Sequence, residues 1–289
     1  MVRTLSHREA RLARRLIPFA ICYDFDGTLA PGNMQERNFI PKIGMTKKAF
    51  WDEVSARCKK HDADNILVYL QLMLEKASAA KVEVRRSNFE AYGRELELFP
   101  GVVEWFARIN AYGKAGGFRV SHHVISSGIR EMVEGSKISK HFENIYASAF
   151  IYDHHGVANW PALALNYTTK TQYLFRINKG VKNVYDHKVI NAYVPPEDRP
   201  VPFSHMVYLG DGETDVPCFR LVKDLGGHSI AVYKSHTQGK KASSTKLLKE
   251  GRVNFVTPAD YREGSELDQA IKATMDKVAA DDYLVRFAR

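Results

Sequence analysis

Apolar, β-branched and aromatic residues gather along this chain in short runs, each closed by a polar or glycine-rich turn that leads into a helical pattern. The runs are Ile17 to Tyr23, Val120 to Ile125, Met206 to Leu209, Ile230 to Tyr233 and Val253 to Val256. That alternation predicts βα units on a parallel sheet, an α/β fold. Between the first two runs the period lengthens. Phe50, Val54 and Cys58 step by four with Trp51 beside them; Ile66, Leu67, Leu70, Met73 and Leu74 form a second stripe; Phe89, Tyr92, Leu96 and Phe99 form a third. Three helices are expected there, with Thr46, Asp64 and Ser87 as N-caps. Pro100-Gly101 closes the insertion, and Val102 to Ile109 predicts a core helix stopped near Gly113.

Further on, Ile145 to Trp160 reads as a hairpin turning at Asp153-His154-His155-Gly156, and Val181 to Ser204, with Pro195, Pro196 and Pro200, as an irregular excursion. From Ser265 through Leu267, Ala270, Ile271, Met275 and Val278 the spacing predicts an amphipathic helix on the sheet.

At 289 residues, 45% hydrophobic and 26% charged, the chain falls in the ordinary range of soluble proteins with a substantial core. No apolar run is long enough for a membrane helix. The arginine-rich first fifteen residues read as a basic lead-in to the first strand, not a secretory signal. The three cysteines, Cys22, Cys58 and Cys218, lie far apart and suggest neither disulfide nor zinc, so a cytoplasmic location is expected. A formal charge of +9 suits a phosphorylated substrate as well as nucleic acid. The basic run Lys234, Lys240, Lys241, Lys246 and Lys249 lacks interleaved aromatics for base stacking and reads as a solvated face.

The chemistry sits where strands end. Asp24-Phe25-Asp26-Gly27-Thr28 places two carboxylates two residues apart, on one side of an extended segment. Gly210-Asp211-Gly212-Glu213-Thr214-Asp215 places two more, four apart, at the opening of a helix. Packed near Asp24 these would repel one another unless a cation neutralised them, and an all-oxygen donor set favours Mg²⁺ over zinc. Ser126-Ser127-Gly128 offers hydroxyls and backbone N–H groups suited to phosphoryl oxygens. Lys170 opens a helix, where the dipole disfavours a cation, so a nearby anion is expected. The pairs His122-His123 and His154-His155 read as core or hairpin residues, because neighbours in a strand point to opposite faces.

In order, Asp24 to Leu29, Ser126, Lys170 and Gly210 to Asp215 resemble the four motifs of the haloacid dehalogenase superfamily, most of all its phosphoserine-phosphatase-like branch. The resemblance implies a doubly wound parallel sheet, a Rossmann-like core of residues 1–30 and 100–289, with a helical cap of residues 31–99 inserted after the first motif. It implies that Asp24 attacks phosphorus to give an aspartyl phosphate and that Asp26 is the general acid and base. Mg²⁺ would be held by Asp24, the backbone carbonyl of Asp26 and Asp211, with Asp215 in support, while Ser126, with Ser127 beside it, and Lys170 would hold the phosphoryl oxygens. Dehalogenases of the superfamily lack a carboxylate at the position of Asp26, and its ATP-driven pumps carry a lysine there. The expectation is therefore a phosphatase acting on a small phosphomonoester. Two alternatives are a phosphomutase and an enzyme acting on polynucleotide ends. Gln35, Arg37, Tyr69 and Arg94 are cap positions that could face the leaving group, although each reads first as a surface or packing residue.

Overall fold

A computed structural model describes residues 16–285 and Phe287. The basic lead-in lies outside the described residues. The strands are β1 (Ile17–Tyr23), β2 (Phe118–Ile129), β3 (Asn144–Tyr152), β4 (Ala158–Leu163), β5 (Met206–Gly210), β6 (His228–Tyr233) and β7 (Phe255–Pro258). They form one seven-stranded sheet in the order β4-β3-β2-β1-β5-β6-β7. Every pairing is parallel except that of β4 with β3. The order reverses between β1 and β5, so the sheet is doubly wound, and the crevice at their carboxyl ends is where such sheets bind ligands.

Strand pleating sends alternate side chains to opposite faces, and β1 shows both destinations. Phe19, Ile21 and Tyr23 join one core and Ala20 and Cys22 the other. The first core is covered by α4 (Val102–Ala115), through Trp105, Phe106 and Ile109, and by the C-terminal helix, through Leu267, Ile271 and Met275. The second lies under the helix Lys170–Lys179, through Tyr173, Leu174 and Ile177, and under Val216–Asp224, through Cys218, Phe219 and Val222.

After β1 come α1 (Lys47–His61), α2 (Asn65–Ala79) and α3 (Arg86–Arg94). Thr46 accepts the amide of Ala49, and Asp64 accepts those of Ile66 and Leu67, so both caps stand where the spacing put them. Ser87 instead lies in the first turn of α3, whose N-cap is Arg85, and the helix ends before Leu96 and Phe99. Those two are buried, but on a loop returning to the sheet, where Phe99 donates its amide to the carbonyl of Leu29. Apolar spacing alone does not separate a helix's last turn from a buried connection. α3 packs on a short helix, α5 (Arg130–Gly135), so closely that a Cβ on Gly93 would fall 2.1 Å from the carbonyl oxygen of Met132. Side chains of this segment belong to the same hydrophobic cluster as the sheet's first face.

Other boundaries also move. β2 is longer than Val120 to Ile125, passing through Ser126 to Ile129. β7 starts two residues later than Val253, which is buried ahead of it. Gly113 does not stop α4; it lies inside, where a Cβ would come 2.4 Å from Val120, and Gly116 is the C-cap. Glycine marks a close helix-to-strand approach there, not a terminus.

The hairpin stands as expected, closed by Asp153, whose carboxylate accepts the amides of His155 and Val157. The excursion holds only the short helix His187–Asn191 and two 3₁₀ turns. His122 is buried in a chain of hydrogen bonds: Trp105 donates to the Tyr23 hydroxyl (2.8 Å), which meets His122 Nδ1 (2.9 Å), while Nε2 meets Asn110 (3.0 Å). His123 meets Ser121 and Asn144. These histidines are packing residues.

Candidate active site

β1 ends at Tyr23, and the amide of Asp24 donates to the carbonyl of Leu209 on β5 (2.8 Å), which holds the first acidic motif against the fourth at the reversal of strand order. Gly27 then turns with φ of 75°, and a Cβ there would fall 2.3 Å from Oδ2 of Asp211. The left-handed turn and the missing side chain together let the two carboxylate loops approach.

Lys170, completely buried, lies at the first position of α6 (Lys170–Lys179). Its Nζ stands 2.8 Å from Oδ1 of Asp215 and 3.0 Å from Oδ1 of Asp24. Here are the anions that its place at a helix start required. Burial by itself would lower the Lys170 pKa, but Asp215 and Asp24 outweigh it and hold the ammonium above its ordinary range.

Asp215 is buried, and both its oxygens are engaged. Oδ1 accepts from Lys170 and from the Tyr208 hydroxyl (2.8 Å), and Oδ2 accepts the amide of Asp211 (3.1 Å). It sits behind the cavity as a brace for Lys170 and for the loop that carries Asp211. Tyr208 was not marked by the sequence reading; the signal for it was its place two residues before Gly210, on one strand face.

Around a cavity of about 170 Å³ stand Asp24, Asp26, Ser126, Ser127, Lys170 and Asp211. The amide of Gly128 donates to Ser126 Oγ (3.0 Å), which leaves the Ser126 hydroxyl proton to donate elsewhere. Ser127 Oγ is buried with no partner among the described residues. Oδ1 of Asp26 accepts the amide of Met34 (3.0 Å). Burial, then the neighbouring Asp24 carboxylate, pushes the Asp26 carboxyl well above the usual range. Asp24 is pushed up to about 7, by burial first, against the pull of Lys170. Burial and Asp215 raise Asp211 as well, although Lys240, half exposed, stands 3.2 Å from its Oδ2.

Oxygens of Asp24, Asp211 and Asp215 all lie within 4.8 Å of one another, with no histidine or cysteine among them. Several carboxyls held above their ordinary range in one pocket, all offering oxygen, fit a hard divalent cation. Since both oxygens of Asp215 are committed to the protein, the donors facing the cavity are Asp24 and Asp211.

Of the four positions marked in the segment after β1, Gln35 and Tyr69 line the cavity, and the Tyr69 hydroxyl donates to the carbonyl of Ser127 (2.6 Å). Arg37 instead pairs with Glu97 at the surface, and Arg94 is exposed away from the cavity. Asn33, Trp51, Asn65, Ile66 and Thr214 also line it and were missed. Asn65 directly follows the Asp64 cap, a position at the end of a helix that a sequence reading had grounds to mark. The basic run is exposed throughout, with Lys240 alone among its marked lysines reaching the site. Among the described residues no helix is long and apolar enough to cross a membrane.

A curated protein of Borreliella burgdorferi, described as uncharacterized, is 28% identical over 282 residues, covering 86% of this chain and 93% of its own. A haloacid dehalogenase family hydrolase of Salmonella enterica serovar Typhi superposes with a TM-score of 0.53 at 15% identity, over 78% of this chain and 65% of that one. A phosphoserine phosphatase solved as a phospho-aspartyl intermediate analogue superposes with a TM-score of 0.53 at 14% identity, over 89% of this chain and 99% of that one. At such identities the two structures establish a shared fold. Residues 21–220 match the family described as haloacid dehalogenase-like hydrolase. The match spans both carboxylate loops, Ser126 and Lys170, and this chain therefore belongs to the haloacid dehalogenase-like hydrolases.

Proposed function

We propose that the chain is a Mg²⁺-dependent phosphatase that hydrolyses a small phosphomonoester through an aspartyl phosphate on Asp24. The observation that carries this reading is Asp26, a carboxyl raised well above its usual range beside the Asp24 carboxylate and lining the same cavity. A carboxyl held above its ordinary range keeps its proton to higher pH than a free one, and a proton donor is what a leaving alkoxide needs.

Asp24 attacks phosphorus and Asp26 protonates the departing oxygen, so the P–O ester bond breaks as the Asp24–phosphorus bond forms. Asp26, now ionised, takes a proton from water, which displaces Asp24 and releases inorganic phosphate. Lys170 and the hydroxyls of Ser126 and Ser127 hold the phosphoryl oxygens, where charge grows in the transition state. Mg²⁺, when bound by Asp24, the backbone carbonyl of Asp26 and Asp211, supplies positive charge against the crowded carboxylates and the phosphoryl group. Asp215 keeps Lys170 and Asp211 in place. Residues 31–99 act as a cap, and the hydrogen bond from Tyr69 to Ser127 supports that role because it joins this segment to the phosphate-facing end of β2. The cavity of about 170 Å³ is below the roughly 300–1,000 Å³ of drug-sized ligand pockets, which favours a small ester over a polymer.

The test is hydrolysis of p-nitrophenyl phosphate with and without Mg²⁺, alongside Asp24→Asn. Release of inorganic phosphate that needs both the cation and Asp24 is expected. Activity that survives Asp24→Asn removes the reading.

A further inference from the structure

The charged groups around the cavity are Asp24, Asp26, Lys170 and Asp211, all at the sheet end and all assigned above to the phosphoryl group. The wall supplied by residues 31–99 is different. It consists of Asn33, Gln35, Trp51, Asn65, Ile66 and Tyr69, none of them charged at neutral pH. Nearby charged side chains of the same segment are spent elsewhere: Glu36 accepts from Trp51 Nε1 (2.9 Å) and Asn33 (2.7 Å) and pairs with Lys47, while Arg37 pairs with Glu97.

Gln35 is only 3% exposed, and its amide oxygen has no donor among the described residues. A buried acceptor left unpaired is unfavourable, and a hydroxyl proton of a bound molecule would satisfy it. Trp51 and Tyr69 have committed their own donors, to Glu36 and to Ser127. Their rings meet edge to face with centroids 5.8 Å apart, and what they offer a ligand is apolar surface.

We propose that the leaving group is a neutral, hydroxyl-bearing molecule of the polyol or sugar class, hydrogen-bonded by Gln35 against the ring of Trp51, and not an amino acid. This rests on the phosphatase reading above. Amide groups beside ring faces match the mixed O–H and C–H surface of a polyol. An amino acid would bring an ammonium and a carboxylate into a wall with no counter-charge, and desolvating an unpaired ion is strongly unfavourable.

The experiment compares kcat/KM for p-nitrophenyl phosphate, glycerol 3-phosphate, glucose 6-phosphate and O-phosphoserine, in the native chain and in Gln35→Met, which keeps the length of the side chain and removes its acceptor. At least one of the two polyol esters is expected to exceed O-phosphoserine by about tenfold or more, and Gln35→Met to lower the ratio of that ester to p-nitrophenyl phosphate by about tenfold, the effect of one hydrogen bond to a buried acceptor. A preference for O-phosphoserine, or an unchanged ratio in folded Gln35→Met, overturns the proposal. No hydrolysis of p-nitrophenyl phosphate means that the phosphatase reading has failed, and this proposal with it. Should Gln35→Met not fold, calorimetry on Asp24→Asn decides: tighter binding of a polyol phosphate than of O-phosphoserine is expected, and the reverse order overturns the proposal.

Discussion

The ammonium of Lys170 lies 3.0 Å from Oδ1 of Asp24, and both side chains are buried. The same nitrogen is 2.8 Å from Asp215, so one cation serves two buried carboxylates. Removing it leaves both carboxylates without their counter-charge, and breaking a buried pair from one side costs about 3–5 kcal/mol. Lys170→Met should lower the free energy of unfolding, read from the urea midpoint and slope, by an amount in that range and abolish turnover. A midpoint like that of the native chain would show that the bridge contributes little to stability.

Asp26 contributes its proton only in proportion to the leaving group's need for one. Asp26→Asn should slow hydrolysis of an alkyl phosphate by about 10²–10⁴, the usual worth of general acid catalysis. For p-nitrophenyl phosphate, whose leaving oxygen needs little help, the loss should be much smaller. Equal losses on both esters would mean that Asp26 acts chiefly on the second, water-consuming step.

Gly27 is the point of closest approach between the two acidic loops. A Cβ there meets Asp211 at 2.3 Å, in a backbone conformation with φ of 75°. Gly27→Ala should weaken Mg²⁺ binding by at least about tenfold and destabilise the fold by about 1–3 kcal/mol, from left-handed strain and displacement of Asp211. Calorimetric titration with Mg²⁺ and thermal unfolding read the two effects separately.

Asp24 is raised toward 7 by burial, with Lys170 opposing, and a cation binds only its ionised form. Below that pKa a proton must leave before the cation enters, so Mg²⁺ affinity should rise with pH and level off once Asp24 is ionised. Titrations in two buffers of different ionisation enthalpy should reveal proton release at pH 6 and little at pH 8.5. A pH-independent affinity would contradict this.

His122 and His123 are each lowered to about 3, chiefly by burial, with the cationic form of His123 adding to the effect on His122 and Lys182 to that on His123. The unfolded chain therefore takes up protons near the ordinary histidine pKa of about 6.5 that the folded chain refuses. Their contribution to stability is complete above that value and is lost as pH falls from about 6.5 toward 3, by up to about 1.4 kcal/mol per pH unit for each. In the folded protein, imidazole NMR resonances of these two residues should stay fixed between pH 8 and 5. Titration of either within that window would contradict their place in the core.

What the chain alone determined is local. An apolar run ending in Asp24-Phe25-Asp26-Gly27 fixes a strand, a turn and two carboxylates on one side, because pleating and glycine's freedom act within a few residues. Likewise Thr46 and Asp64 announce their helices because a cap bonds to amides two or three positions away. Ser87 and Gly113 misled because each is a local signal that its surroundings overrode: the helix starts ahead of Ser87, at Arg86, and Gly113 packs inside a helix against Val120. The cavity wall lay beyond local rules. That Gln35 and Tyr69 face the site while Arg37 and Arg94 do not depends on how the helical segment settles on β2 and α5. That Lys170 finds two anions depends on parallel strands bringing the ends of β1 and β5 together beside the start of α6. These contacts join residues far apart in the chain, and only the balance of burial, charge and hydrogen bonding over the whole fold selects them.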